Sequence, residues 1–264
     1  MMLLAVGVVA TVSVGAATNH FQSLEKSGQG ISFYKANYAV IGVDPILEAE
    51  LQFSFKYRFV EGAPFENWWS KPMNNLHFAY TQTMFWDLEE DSAPYPNNYL
   101  DSYFSPELFW LLPDFFPEAG KAQVDLQFGY QHESNGRDEQ FGRTWDRLFL
   151  QPQWIWGKSG EWQRKVELKI WAPVYVGPAM DDISDYYGFS ELRLKAGKSD
   201  GFAAEAMLRK GTRDWNGAIE LTGSYPIRPV NMFVYGQVFY GYGENLRLYD
   251  QETFTYRLGL AISR

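Results

Sequence analysis

The chain has 264 residues, a net charge of -9, no cysteine, and aromatic side chains at 18% of its positions. An acidic chain without a basic run has nothing to hold a nucleic acid, and zero cysteines exclude a disulfide framework and any thiolate metal site. Beyond residue 17 no window approaches the roughly 18 apolar residues that a membrane-spanning helix needs, which excludes a helical membrane protein.

Residues 1–17, MMLLAVGVVATVSVGAA, form an apolar stretch closed by small residues, the pattern of a secretory signal with its cleavage region. The usual positive n-region is missing, which leaves either a start placed too late or a short buried segment; the run Val14-Gly15-Ala16 favours the first. Residues 18–36 are expected as an N-terminal periplasmic segment and residues 37–264 as the folded unit.

From there the dominant signal is alternation with a period of two. Over 48–60, Ala49, Leu51, Phe53, Phe55, Tyr57 and Phe59 share one face, while Glu48, Glu50, Gln52, Ser54, Lys56 and Arg58 share the other. Twelve such segments follow one another, at about 37–43, 48–60, 74–87, 106–116, 121–134, 144–157, 161–175, 188–198, 201–211, 216–226, 231–243 and 254–263. Most exceed the 9 to 11 tilted residues that cross a bilayer as a strand. An even count with short links on one side (157–161, 198–201, 226–231) and longer ones on the other (88–105, 135–143, 176–187, 244–253) predicts an all-β fold. The expected form is a twelve-stranded antiparallel transmembrane β-barrel of a Gram-negative outer membrane, with both termini periplasmic. The 61–73 link is long for an inner turn, and Trp154, Trp156 and Trp162 sit where an aromatic girdle should lie. A soluble sandwich or lipocalin-like barrel would alternate in the same way with its apolar side inward. The apolar rows hold more Phe, Tyr, Trp and Leu than a small lumen can contain, which argues against it. A passive porin is the other alternative, opposed by large inward residues, all but Gln127 charged: Lys56, Arg58, Gln127, Arg147, Lys165, Glu167 and Lys169.

Chemistry surfaces on the apolar rows of the fifth and sixth segments. Continuing Val124, Leu126, Phe128 and Tyr130 reaches His132 and Ser134; running Trp154, Pro152, Leu150 and Leu148 backwards reaches Asp146 and Thr144. A histidine, a serine and an acid then project toward lipid at the outer ends of neighbouring strands, where cross-strand pairing can bring them together. In a hydrolytic site the imidazole of His132 would take the proton of Ser134 as the hydroxyl attacks an ester, and Asp146 would hold the ring in its tautomer. The plainer alternative is a strand end entering the headgroup zone. The third segment's outward row, Leu76, Phe78, Tyr80, Gln82, Met84 and Trp86, carries one amide into lipid. An unpartnered amide there costs about 2 to 7 kcal/mol. Gln82 must therefore pair with a second barrel or with a neighbouring strand's side chain.

The stretch 130–137, YQHESNGR, with 143–147, RTWDR, resembles the H-x-S-N-G-R and R-S-W-N-R signature of the outer membrane phospholipase A family. The similarity extends over most of the chain, through Asn37-Tyr38, Tyr80-Thr-Gln82, Pro106-Glu-Leu-Phe109, 182–188, Ser224-Tyr-Pro226 and Gly241-Tyr-Gly-Glu244. The resemblance implies a twelve-stranded phospholipase A1/A2 of the serine-hydrolase type, acting on acyl esters of glycerophospholipids and lysophospholipids. It also implies a calcium requirement and activity as a homodimer. His132 and Ser134 match the family's pair, whereas Asp146 stands where the family has asparagine. The implied calcium positions are Arg137 by its carbonyl, Gly142 where the family has serine, Ser92 across the dimer, and, more loosely, Asp181, with Asp138 and Glu139 nearby. Gly136 maps to the oxyanion-stabilising loop and Gln82 to the dimer interface.

Overall fold

The computed structural model describes residues 30–44, 46–60, 66–67, 69–89, 99–116, 122–137, 141–158, 160–228 and 230–264. The signal stretch 1–17, residues 18–29, and Ser92, Asp138 and Glu139 lie outside the described residues.

Alternating residues put each strand's bulky apolar row on one face and its polar row on the other, and closure of the sheet separates the two faces for good. The strands are β1 (Ile31–Phe33), β2 (Asn37–Asp44), β3 (Ile46–Arg58), β4 (Leu76–Asp87), β5 (Tyr99–Leu112), β6 (Gln123–Ser134) and β7 (Thr144–Trp156). They continue with β8 (Gln163–Val176), β9 (Ser190–Gly197), β10 (Ala203–Lys210), β11 (Gly217–Ile227), β12 (Met232–Tyr242) and β13 (Glu252–Ser263). Every pairing is antiparallel, between sequence neighbours apart from β1 with β3 and the β13–β2 pair that closes the cylinder. β1 and β2 run in line along the same strand, β1 opposite Phe55–Tyr57 and β2 opposite Ile46–Gln52 of β3, so the thirteen strands form twelve staves. Residues 31–36, expected ahead of the barrel, therefore belong to it. Between β1 and β2 the chain turns Tyr34 into the lumen, where its phenol donates to Glu107 Oε2 at 3.2 Å and accepts from Gln127 Nε2 at 2.8 Å.

Burial is inverted relative to a soluble protein. Glu48, Glu50, Lys56, Thr81, Glu107, Asp125, Gln127, Arg147 and Lys165 are buried, while Phe53, Leu148, Leu221, Phe254, Tyr256 and Leu258 are exposed on the outside. That construction suits hydrocarbon outside and a polar interior, as in outer-membrane barrels, and it disposes of the soluble alternative. Ion pairs line the lumen between nearby strands: Arg257 to Glu48 at 3.1 Å, to Glu50 at 3.3 Å and to Glu244, and Arg193 to Glu191 and Glu205 at 2.7 and 2.8 Å. The remaining polar cavity is about 240 Å³.

The expected segments appear with shifted ends, most of all in β5, which begins at Tyr99 rather than 106. Its outer half, Asp101 to Ser105, carries polar residues on both faces and a register shift against β4 between Phe85 and Trp86, so no alternation announced it. It ends at Leu112 because Pro113 has no N–H to give and Asp114 turns with φ 50°. The apolar core lies inside the barrel's outer half, behind β5–β8. There Phe109, Trp145, Phe149 and Trp171 pack against Met180, Ile183 and Tyr187, and against Leu246 and Tyr249 of the outer loop 243–251. A single-turn helix, α1 (Ser184–Tyr187), belongs to this lid over the lumen. Burial pushes the Tyr187 phenol up to about 12, so it stays a donor, here to the Gly243 carbonyl at 2.9 Å.

Candidate active site on the lipid-facing wall

The long β6–β7 hairpin sets the geometry. Its register pairs His132 with Asp146 and Ser134 with Thr144, all four outward, and Glu133 with Trp145, both inward. Residues two apart on one strand face lie side by side, so Ser134 stands beside His132 and Asp146 across from it. His132 Nε2 is 2.9 Å from Ser134 Oγ, and His132 Nδ1 is 2.6 Å from Asp146 Oδ1. A carboxylate at Nδ1 requires the proton there, leaving Nε2 to accept from the serine hydroxyl. The imidazole and carboxylate are 34% and 20% exposed, open enough for a substrate arriving along the wall. Around them stand Tyr130, Leu148, Leu150, Val174 and Tyr175, exposed to the membrane.

The loop after Ser134 is knotted by one side chain. Asn135 Oδ1 accepts the Arg137 and Arg143 amides at 3.4 and 2.8 Å, Asn135 Nδ2 donates to the Phe141 carbonyl at 2.9 Å, and the Asn135 amide donates to the Arg143 carbonyl at 2.9 Å. Gly136 follows with φ 66°, and a Cβ there would stand 2.9 Å from the Phe104 ring, so only glycine fits without strain. Arg137 reaches back to β5, with Nη2 on the Leu100 carbonyl at 2.8 Å and Nε on Asp101 Oδ1 at 3.4 Å. Asp101 Oδ2 also accepts the Arg247 amide at 3.2 Å, so one buried carboxylate joins the loop to the outer segment 243–251. In that segment Tyr249 donates to Asp182, and burial first, then the Asp182 carboxylate, raises its phenol above the usual range.

The expected metal positions lie in different surroundings. The Gly142 carbonyl already accepts Arg143 Nη1 at 3.3 Å. Asp181 is exposed in the segment between β8 and α1. No group of three or more His, Asp or Glu side chains poised for a metal occurs among the described residues. Gln82 does lie on the outward row, but its amide is satisfied within one chain. Tyr80 donates to Gln82 Oε1 at 3.0 Å, and Gln82 Nε2 donates to Ser102 Oγ of β5 at 3.3 Å, the neighbouring-strand alternative.

Periodicity gave no notice of Asn135, Asp101 or Glu133. Apart from the resemblance of the 130–137 stretch, the local signal was the Asn135-Gly136 pair, which marks a turn with special backbone angles.

A family model described as phospholipase A1 matches residues 25–263. Phospholipase A1 of Escherichia coli K12 is 33% identical over 184 residues, 68% of this chain and 59% of the relative. That of Klebsiella pneumoniae is 34% identical over 194 residues, 71% of this chain and 63% of the relative. The chain thus spans about three fifths of the length of the curated relatives it matches. Among solved structures, outer membrane phospholipase A from Escherichia coli superposes with a TM-score of 0.73 at 23% identity, covering 88% of this chain and 93% of the other. The Salmonella typhi outer membrane phospholipase dimer with bound calcium gives 0.73 at 22% identity, covering 91% and 94%. These structures share the barrel fold, and with a family model matched along nearly its whole length the chain belongs to the phospholipase A1 family.

Proposed function

We propose that the protein is an outer-membrane phospholipase that hydrolyses acyl esters of glycerophospholipids and lysophospholipids, at either acyl position, with Ser134 as nucleophile, His132 as general base and Asp146 as orienting acid. The observation that carries this reading is the unbroken line from Ser134 Oγ through the His132 ring to Asp146, at 2.9 and 2.6 Å, on the membrane side of the wall. A site facing outward serves a substrate that arrives within the bilayer, not one dissolved in water.

The chemistry follows from that line. Ser134 Oγ attacks the ester carbon while His132 Nε2 takes its proton, and Asp146 steadies the resulting imidazolium. The Gly136 amide, turned by its positive φ, stabilises the negative charge on the carbonyl oxygen. Collapse expels the glycerol-side alkoxide, which takes the proton from His132. Water, deprotonated by the same ring, then releases the fatty acid and restores Ser134.

Calcium is part of the proposal because the loop beside Ser134 offers hard neutral oxygens, the carbonyls of Arg137 and Gly142, of the kind calcium prefers. The Arg143 guanidinium must leave the Gly142 carbonyl for that oxygen to serve. Ser92 and Asp181 are the remaining donors proposed. When bound there, calcium would supply positive charge near the developing oxyanion. A homodimer is proposed with Gln82 at its centre, its amide exchanging the Ser102 contact for one across a two-fold axis.

The test is lipid hydrolysis in detergent micelles with calcium or with chelator. Wild type is expected to turn over lipid and Ser134→Ala to lose about 10⁴-fold or more in kcat with an unchanged fold. Turnover surviving in a folded Ser134→Ala protein would sink the assignment.

A further inference from the structure

On the lumen side of the hairpin, directly behind the outward trio, Glu133 Oε2 accepts the Trp145 indole N–H at 2.9 Å and Arg147 Nη2 at 2.6 Å. The Arg147 guanidinium lies over the Trp145 ring at 3.8 Å and the Trp171 ring at 5.1 Å. Trp145 is fully buried, edge-on to Trp171 and Tyr187 at 6.3 and 5.5 Å, so it has no room to shift. Glu133 sits in the chain between His132 and Ser134, and Trp145 and Arg147 flank Asp146. A single lumen-facing carboxylate therefore grips both chain neighbours of the acid from between the base and the nucleophile.

Position matters here because the β7–β8 ladder is irregular at this point. Its pairing with β8 shifts register between Asp146 and Arg147, and Arg147 faces Pro173, which has no N–H for the ladder. Beyond the irregularity Trp145 pairs with Val176 and Asp146 with Tyr175, so the outer end of β7 is held by both neighbouring strands, and side chains in the lumen fix it across the shifted step.

We infer that Glu133 and Arg147, closed over Trp145, form a lumen-side clamp that positions Asp146 and His132 for the reaction on the opposite face of the wall. Both are positioning residues: neither reaches lipid, and they act through the backbone they pin. The inference rests on the role proposed above for the outward trio.

The experiment compares kcat and KM in micelles for wild type, Glu133→Gln, Arg147→Lys and Glu167→Gln, with the folded fraction read by near-ultraviolet circular dichroism. Glu167 belongs to another lumen pair, 2.8 Å from Lys165, well down the wall from the outer rim. A displacement of about 1 Å costs on the order of 100-fold. Glu133→Gln is therefore expected to lower kcat by about that factor with KM within about twofold, and Glu167→Gln to leave both within about twofold. The Nδ1 proton resonance of His132 should shift or broaden in Glu133→Gln and Arg147→Lys and stay as in wild type in Glu167→Gln. If Glu133→Gln does not fold, Arg147→Lys, which keeps the charge but loses the planar stack, is expected to show the same drop. Wild-type kcat in a folded clamp variant overturns the inference, and so does an equal loss in Glu167→Gln, which would mean general loosening of the barrel. Ser134→Ala in the same series separates the two levels: if it remains active the site itself is misassigned, and if it is dead while the clamp variants are normal only the clamp fails.

Discussion

The hairpin β6–β7 and the wall β11–β13 stand on opposite sides of the barrel and are built from the same alternation, yet they treat lipid differently. On β11–β13 the outward row is Leu221, Tyr225, Val234, Val238, Leu258 and Leu260, with no ionisable side chain between the rims other than the tyrosine phenols. On β6–β7 the same row ends in His132, Ser134 and Asp146. Polar groups are tolerated there because they satisfy one another: the carboxylate has the imidazole, the imidazole has the hydroxyl, and the set lies near the outer rim. The lumen differs in the complementary sense. Behind β11–β13 it is lined by the ion pairs of Arg257, whereas behind the site it is packed with tryptophan and tyrosine under the outer loops. A wall can carry chemistry outward when its inner side is made rigid.

The largest expected effect comes from breaking the trio at its acid. Asp146→Ala removes the group that holds the His132 tautomer, and kcat should fall by about 10³- to 10⁴-fold at constant stability. Steady-state kinetics with an unfolding titration would check it, and a loss under tenfold would mean that the ring is oriented by something else. Next in size, a charge placed where nothing answers it sharpens the contrast. Leu258→Arg, at a side chain 65% exposed on the opposite wall, should destabilise the barrel by about 2 to 4 kcal/mol if that position lies near mid-bilayer. Reversible unfolding in lipid vesicles measures this, and kcat of the folded fraction should not change. The smallest effect is expected at the loop. Gly136→Ala forces a side chain into φ 66° against the Phe104 ring, and about a tenfold loss of kcat should follow from a strain of order 1 to 3 kcal/mol that turns the amide aside. A variant with normal kcat would remove Gly136 from the oxyanion role.

Much of this was legible beforehand. The rows of Phe53, Phe55 and Tyr57 against Ser54 and Lys56 carried the strand type and which face meets lipid, and extending two such rows brought His132, Ser134 and Asp146 to one side. The ends of β5 were hidden because Asp101 to Ser105 is polar on both faces, and periodicity has nothing to report where both sides are wet. Glu133, Asn135 and Asp101 were hidden for another reason: a polar residue on a lumen row or in a turn looks alike whether it fills space or bears a site. The pairing of Gln82 with Ser102 was likewise beyond reach, since it joins positions 20 apart through a bulged strand pair.

By itself the sequence determined the alternation, and with it an inside-out sheet, because which residues share a strand face depends only on counting by two. Closure, register and the partners of each polar group were decided by the tertiary structure. Antiparallel strands pair equally well at many offsets as far as the backbone is concerned, and only side chains packed in three dimensions select one. That selection puts Asp146 opposite His132, turns Tyr34 into the lumen, and sets Glu133 behind the wall against Trp145 and Arg147.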